Sequence, residues 1–151
     1  MPIDHSPRYL EPSWFTQHLA NRSLGWLARR GFGPRGLREL AVPRRTSGGW
    51  QRLPVNLLDL DGARYLVAPR GETQWVRNIR VAGGGELRCG RKVERIRVIE
   101  LRDLDKPEVL REYLRRWRAE VRVFFGDLDA DASEEELVAV AAGFPVFSVV
   151  A

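Results

Sequence analysis

The chain has 151 residues, of which 44% are hydrophobic and 30% are charged, and its formal net charge is +5. This balance is typical of a soluble globular protein, and the length suits a single domain with its own core. One cysteine and two histidines exclude a disulfide framework, an iron–sulfur cluster and a Cys/His zinc site. No apolar run reaches the roughly 20 residues of a membrane span.

The N-terminal segment, residues 1–35, is expected to form a helix over 12–30 followed by a turn. It begins MPIDHSPRYLEP, which lacks the apolar stretch of a secretory signal and so predicts a cytoplasmic protein. The helix carries both aromatic and basic side chains, namely Trp14, Phe15, Trp26, Arg22, Arg29 and Arg30. These side chains fit two arrangements: peripheral docking on the anionic inner face of a membrane, or packing of the aromatic rings on the rest of the protein.

The remaining residues, 36–151, are expected to form one mainly β (α+β) domain. Short strand-like runs come at close spacing, at 37–42, 53–60, 63–68, 86–89, 93–101 and 144–150. Asp61-Gly62 is a strong hairpin signal between the second run and the third. Six short strands with turn signals predict a six-stranded antiparallel β-barrel with flanking helices.

Three helical segments are expected among the strands. The first covers 72–80, and the longest covers 106–125 with an apolar stripe along one face. The arginines of the longest segment are expected on its solvated face: Arg111, Arg115, Arg118 and Arg122. Ser133 and Glu136 form a capping box that opens a last short helix, which Gly143 closes.

Basic charge is concentrated early in the chain and consists almost entirely of arginine. Residues 22–52 contain eight arginines and a single acid, Glu39. Because arginine holds phosphate and carboxylate in a fixed fork, this region is expected to face an anion. A phosphorylated cofactor, an anionic membrane and nucleic acid are the candidates. Nucleic acid is disfavoured because few aromatic residues interleave the arginines of 35–52.

Several basic residues lie around the ends of the predicted strands, with Ser47, Gly48 and Gly71 close to them in sequence. They are Arg44, Arg45, Arg52, Arg70 and Arg77. Glycine allows the backbone to approach an anion, and adjacent N–H groups can form an anion-binding nest. The pattern fits an anion site, and it also fits a basic face that is merely solvated.

Two other motifs are interpreted as structural. GFGPRG, at 31–36, has the letters of the dinucleotide-binding fingerprint, but a helix precedes it and a strand follows, which is the reverse of the order that the fingerprint needs. The alternating acids Asp127, Asp129 and Asp131 lack the glycine and the terminal glutamate of a calcium loop. No metal site is expected.

Residues 54–80, PVNLLDLDGARYLVAPRGETQWVRNIR, resemble the core of the deazaflavin-dependent oxidoreductases of the nitroreductase type. That family has a Gly-Arg-Lys/Arg-Ser/Thr-Gly turn, a Pro-led strand, an Asp-Gly hairpin, a turn similar to Ala-Ser-Lys/Arg-Gly and a Trp-x-x-Asn helix. The matching residues, in chain order, are Arg45, Ser47, Gly48, Pro54, Asp61, Gly62, Ala68, Arg70, Gly71, Trp75 and Asn78. The chain departs from the pattern at Arg44, Thr46, Trp50 and Gln51. The family has a proline and an arginine before the strand, and in this chain the arginine comes one position later, as Arg52.

The resemblance implies a split β-barrel that binds coenzyme F420 in preference to FMN. The tail of F420, one phosphodiester and several glutamates, is an anionic partner for the basic segment. The implied cofactor contacts are Arg45, Thr46, Ser47, Gly48, Arg52, Pro54, Ala68, Pro69, Arg70, Gly71, Trp75 and Asn78. Asn56 stands at a position where some members carry a substrate-facing tyrosine, which implies contact with the acceptor.

The function implied is that of an F420H2-dependent reductase. It would transfer a hydride to a small electron-poor acceptor such as a quinone, an enone or a nitro compound. The alternative is a non-catalytic carrier module that holds a deazaflavin or a flavin. The oligomeric state, monomer or homodimer, stays open.

Overall fold

Six antiparallel strands form a closed barrel in residues 36–150, the part of the chain that the computed structural model describes, apart from the side chains of residues 119 and 120. The strands are β1 Leu37–Pro43, β2 Trp50–Leu60, β3 Ala63–Val67, β4 Gly84–Cys89, β5 Lys92–Glu100 and β6 Val146–Val150. Their order around the barrel is β1-β2-β3-β6-β5-β4. This confirms the predicted six-stranded antiparallel barrel with flanking helices.

Three α-helices accompany the strands within residues 36–150. They are α1 Gln74–Ala82, α2 Pro107–Phe125 and α3 Glu134–Ala141, with a 3-10 turn at Asp103–Asp105 before α2. None of these helices is long and apolar enough to cross a membrane. The predicted helix over 12–30 and the fingerprint-like turn, except for its Gly36, lie outside the described residues. The division into 1–35 and 36–151 therefore stays a prediction.

The wall of the barrel separates two apolar cores, because alternate residues of a strand point to opposite faces. Leu57 belongs to the interior core and its neighbour Leu58 to the outer one. The interior core includes Leu40, Leu66, Leu87 and Phe147, together with Trp75, Val76 and Ile79 of α1. Helix α1 therefore closes one end of the barrel. The outer core, between the wall and helices α2 and α3, includes Leu110, Trp117, Phe125, Leu137 and Phe144.

Turn residues set several of the observed boundaries. Asp61 and Gly62 both have positive φ, 51° and 82°, which confirms the hairpin between β2 and β3. Strand β4 begins at Gly84, inside the glycine run that was expected to precede it. A Cβ atom on Gly84 would lie 2.1 Å from the carbonyl oxygen of Ile96, and one on Gly85 would lie 2.3 Å from that of Ala41. Glycine at both positions lets β4 approach both of its neighbours.

The arginine face of α2 is less solvated than expected. Arg111 donates from Nη1 to the carbonyl oxygens of Ala130 and Ala132, at 2.6 and 2.7 Å. Arg118 is half-buried, and its Nε atom is buried. The prediction of a solvated face is therefore wrong for these two residues, whereas Arg115 and Arg122 are exposed. The helix also kinks at Trp117, where φ is −128° and ψ is 21°.

Candidate functional site

The candidate site is built on the turn that leads from β3 into α1. Gly71 has φ +83°, a left-handed conformation that glycine adopts without steric cost. The N–H of Gly71 donates to the carbonyl of Ala68 at 3.2 Å, and the N–H of Thr73 donates to that of Gly71 at 2.8 Å. This tight turn places the half-buried Arg70 three residues before Thr73, the N-cap of the helix.

The Thr73 hydroxyl is buried without a hydrogen-bond partner. Thr73 is 5% exposed, and its Oγ1 bonds to no described residue. An N-cap threonine ordinarily accepts from an N–H of the first helical turn, but here no such bond forms. A buried polar atom left in this way is uncommon in proteins, which makes the Thr73 hydroxyl a candidate for contact with a ligand.

The first turn of α1 offers hydrogen-bond donors at the same place. No backbone carbonyl in residues 36–150 accepts from the N–H groups of Gln74, Trp75 and Val76. Such groups carry the positive end of the helix dipole and form a natural site for phosphate or carboxylate. The Thr73 hydroxyl and these N–H groups thus lie together at one helix end.

The charges around this helix end favour an anion. Glu72, the single acid between residues 68 and 78, is bound by Arg80. Arg80 also donates to Glu100 of β5 at 2.7 and 2.8 Å, and Glu100 and Glu72 together raise the pKa of Arg80. Besides Glu72, the charged residues of this stretch are both positive: the half-buried Arg70 and the exposed Arg77.

Asn78 joins α1 to the turn between β1 and β2. It is 2% exposed, and its Oδ1 accepts from the backbone N–H of Arg45 at 3.2 Å and from Nη1 of Arg45 at 2.7 Å. Its Nδ2 donates to Oε1 of Gln51 at 2.8 Å. The resemblance assigned both Arg45 and Asn78 to the cofactor. The contact between them makes Asn78 a positioning residue for the turn.

The rest of the β1–β2 turn is open to solvent. Thr46, Ser47 and Gly48 are exposed, and Gly48 has φ +74°. The Ser47 hydroxyl accepts from the N–H of Gly49 at 3.4 Å, and the N–H of Arg44 donates to the carbonyl of Gly49 at 2.8 Å. These bonds shape the turn and leave it accessible to a ligand.

The predicted site residues of β2 lie on the outer face of the barrel. Arg52, Pro54 and Asn56 alternate with Leu53, Val55 and Leu57, which pack on or in the interior core. Arg52 Nη1 lies 3.3 Å from Oε1 of Glu39, which is 2% exposed. Arg52 therefore balances a buried carboxylate on the neighbouring strand β1, and its contact with a cofactor stays a prediction.

Helix α1 thus brings together two of the predicted groups. Residues 68–71 lie at its N-terminal end, and the turn 45–48 is attached to it through Asn78. Trp75 is also on α1 but is 6% exposed, with its ring 5.8 Å from that of Phe147 in the interior core.

Phe124 and Phe125, the last two residues of α2, belong to the outer core. Phe125 stacks on Phe144 at 4.1 Å, and Phe124 packs against the same core. The barrel wall therefore separates Phe125 from Trp75, and the two rings form no common acceptor site. The role of Asn56 in contacting an acceptor stays a prediction.

Two residues of this region were not identified from the sequence. Thr73 had a usable signal, since threonine directly before a helical segment is a common N-cap. The only signal for Glu39 was that it is the single acid among the eight arginines of residues 22–52. Within residues 36–150, no group of three or more His, Cys, Asp or Glu side chains could hold a metal ion.

Comparison with known proteins identifies the fold. No protein-family model and no curated protein matches the chain. An F420-H2 dependent reductase is similar in structure, with a TM-score of 0.53 at 17% identity over 77% of this chain and 95% of that chain. A domain-swapped dimer has a TM-score of 0.52 at 17% identity, over 78% of this chain and 82% of that chain.

A third similar structure is a protein of unknown function from Agrobacterium tumefaciens. Its TM-score is 0.55 at 12% identity, and the match covers 95% of this chain and 58% of that chain. At such identities these three likenesses show a shared barrel fold.

Proposed function

We propose that this protein is an F420H2-dependent oxidoreductase that holds the phosphodiester of its cofactor at the N-terminal end of α1. The observation that carries the proposal is the buried, unpartnered hydroxyl of Thr73 beside the free N–H groups of the first helical turn. A phosphate offers acceptor oxygens to all of these donors, and Arg70 adds a charged donor. The barrel fold shared with an F420-H2 dependent reductase agrees with this assignment.

Each part of the site has a distinct role in the proposal. Thr73 and Arg70 hold the phosphate, and the open turn 45–48, placed by Asn78, faces the glutamate tail. Backbone groups of β2 and β3 line the ring, and Asn56 orients the acceptor. When bound, the reduced deazaflavin supplies a hydride to an electron-poor acceptor such as a quinone, an enone or a nitro compound, and water supplies the balancing proton.

A second candidate is a non-catalytic carrier of a deazaflavin or flavin. It is favoured by the burial of Trp75 and Phe125 in two separate cores, because these rings then offer no stacking surface to an acceptor. Both candidates share the anion site. We expect a cytoplasmic monomer or homodimer in either case, and one structure of this fold is a domain-swapped dimer.

The cofactor site is tested by fluorescence titration of purified protein with F420 and with FMN. We expect F420 to bind more tightly, and Thr73→Val or Arg70→Gln to weaken its binding about tenfold or more, since each removes a hydrogen bond to a charged group. Arg122→Gln, on the exposed surface of α2, is the matched control and should leave affinity unchanged. Equal or tighter FMN binding would refute the deazaflavin assignment.

Turnover separates the enzyme from the carrier. Oxidation of reduced F420 is followed with menadione and with cyclohexenone as acceptors, for the natural protein and for Asn56→Ala. An enzyme oxidises the cofactor faster than the free cofactor reacts, and loss of rate in Asn56→Ala at unchanged F420 affinity supports the acceptor role. Turnover no faster than that of free F420 would favour the carrier.

A further inference from the structure

A second cleft lies beside the C-terminal end of α1 and is bordered by Pro43 and Trp50, the strand residues that flank the β1–β2 turn. Its volume is about 580 Å³, within the range of small-ligand pockets. Its walls come from the near ends of β1, β2, β4 and β5 and from the end of α1, and its lining residues include Pro43, Trp50, Ala82, Glu86, Arg95 and Arg97. No residue of this lining belongs to the predicted cofactor set.

One wall presents an exposed aromatic surface. Trp50, the first residue of β2, is 45% exposed, and its register partner on β1 is Pro43. Tryptophan is usually well buried, so an indole exposed to this extent within a cleft provides a face on which a planar ring can stack.

The far wall is cationic. Arg95 and Arg97 are exposed residues of β5, and their spacing of two positions places them on one face of the strand, about 7 Å apart. Glu86, in register with Arg95, is the one acid of the lining. Among the side chains that the structure describes, none forms an ion pair with Arg95. The Arg95 guanidinium can hold a phosphate or carboxylate in a fixed fork, and Arg97 adds positive charge beside it.

The floor between the two walls is bare backbone. Residues 83–85 are all glycine, and a Cβ atom on Gly83 would meet no atom within 4 Å. Strands β1 and β4 separate the strand of Trp50 from that of the arginines, which at normal strand spacing sets the walls at most about 14 Å apart. A ligand that reaches both walls therefore needs a ring and an anion joined by a short spacer.

We propose that this cleft binds a planar aromatic anion of about the size of a nucleoside monophosphate. Its ring stacks on Trp50, and its anionic group pairs with Arg95, while Arg97 adds to the positive charge of the same wall. The inference does not depend on the cofactor assignment, because it uses none of the same side chains.

The test uses adenosine monophosphate as the probe and nuclear magnetic resonance of 15N-labelled protein as the readout. We expect saturable shifts of the Trp50 indole N–H, assigned with Trp50→Phe, and of the amides of residues 83–85. Adenosine and ribose 5-phosphate, which each supply half of the recognition, should bind at least about tenfold more weakly.

Variants locate the site. Trp50→Ala and the double variant Arg95→Gln with Arg97→Gln should each weaken binding at least about tenfold. Arg91→Gln, at an exposed position between β4 and β5, should bind like the natural protein, and so should Thr73→Val in the cofactor site. The glycines are unsuitable for substitution, because Gly84 and Gly85 are required for strand packing.

The proposal is overturned by any of three results. The first is the absence of saturable shifts up to about 10 mM nucleotide, which would mean a Kd too weak for a specific site. The second is binding that survives both Trp50→Ala and the double arginine variant. The third is binding that Thr73→Val abolishes, which would place the nucleotide in the cofactor site.

Discussion

Removal of the Asn78 side chain should detach the β1–β2 turn from α1 while it leaves the barrel core intact. Asn78 lies on the polar side of a helix whose Val76 and Ile79 are fully buried in the interior core. Asn78→Ala keeps these apolar contacts. It removes the two bonds that Oδ1 accepts from Arg45 and the one that Nδ2 donates to Gln51.

The expected loss of stability follows from the kind of bonds that are lost. A neutral hydrogen bond contributes about 0.5–1.5 kcal/mol and one to a charged group about 1.5–3 kcal/mol, which gives an upper range of about 2.5–6 kcal/mol for two neutral bonds and one charged bond. Arg45 is exposed and Gln51 is half-exposed, so water replaces part of the hydrogen bonding that they lose. We therefore expect a loss of about 2–3 kcal/mol, or about 6–9 °C in Tm for a chain of this size.

Urea unfolding followed by tryptophan fluorescence measures this loss. The matched control is Arg77→Ala, at the adjacent and exposed position of α1, which should change stability by no more than about 0.5 kcal/mol. F420 affinity should fall in Asn78→Ala as well, because the turn that we propose for the tail is no longer fixed. An Asn78→Ala variant as stable as Arg77→Ala would refute the positioning role of Asn78.

Two further predictions concern stability away from the site. The Arg64 guanidinium donates to Glu94 at 2.8 and 2.6 Å and lowers the pKa of Glu94 below its ordinary 4.5. The stability from this pair is therefore present above pH 4.5 and is lost as the pH falls through the lowered pKa of the folded protein. Glu94→Gln should flatten this acid dependence of the unfolding free energy, which urea melts at a series of pH values measure. The effect should be less than about 1 kcal/mol, because both side chains are substantially solvated. An unchanged pH profile would contradict this prediction. Ser133→Ala breaks the capping box of α3 and should lower the unfolding free energy by about 1 kcal/mol in the same assay. The control is Glu135→Gln, outside the box, which should lower it less. Equal losses of stability in the two variants would argue against the cap.

The strands and turns of the barrel could be predicted because their signals are local. Period-two alternation and the Asp61-Gly62 turn mark β2 and β3 without reference to the rest of the chain. The order of the strands could not be derived in this way. The barrel closes through contacts that are distant in sequence, such as the pairing of Leu40 with Leu87 and of Leu66 with Phe147.

The turns and the helix that carry the candidate site could be predicted better than the contacts of their side chains. The Arg70-Gly71 turn and the Trp-x-x-Asn helix were identified by resemblance, and the structure places them side by side. The bond between Arg45 and Asn78 spans 33 positions, and the register of β1 against β2 decides that Arg52 meets Glu39. Side-chain partners depend on tertiary packing, which composition and spacing do not reveal.

Helix α1 relates these features to one another. Its apolar face is fixed in the barrel by Trp75, Val76 and Ile79, and Arg80 ties it both to Glu72 in the preceding turn and to Glu100 on β5. The donors at its N-terminal end are thus held in place before any ligand arrives, and preorganised donors bind an anion with little loss of conformational entropy. The β1–β2 turn, in contrast, meets α1 through the polar bonds of Asn78. Phosphate affinity should therefore depend on the rigid helix end, and discrimination among anionic tails on the turn that Asn78 positions.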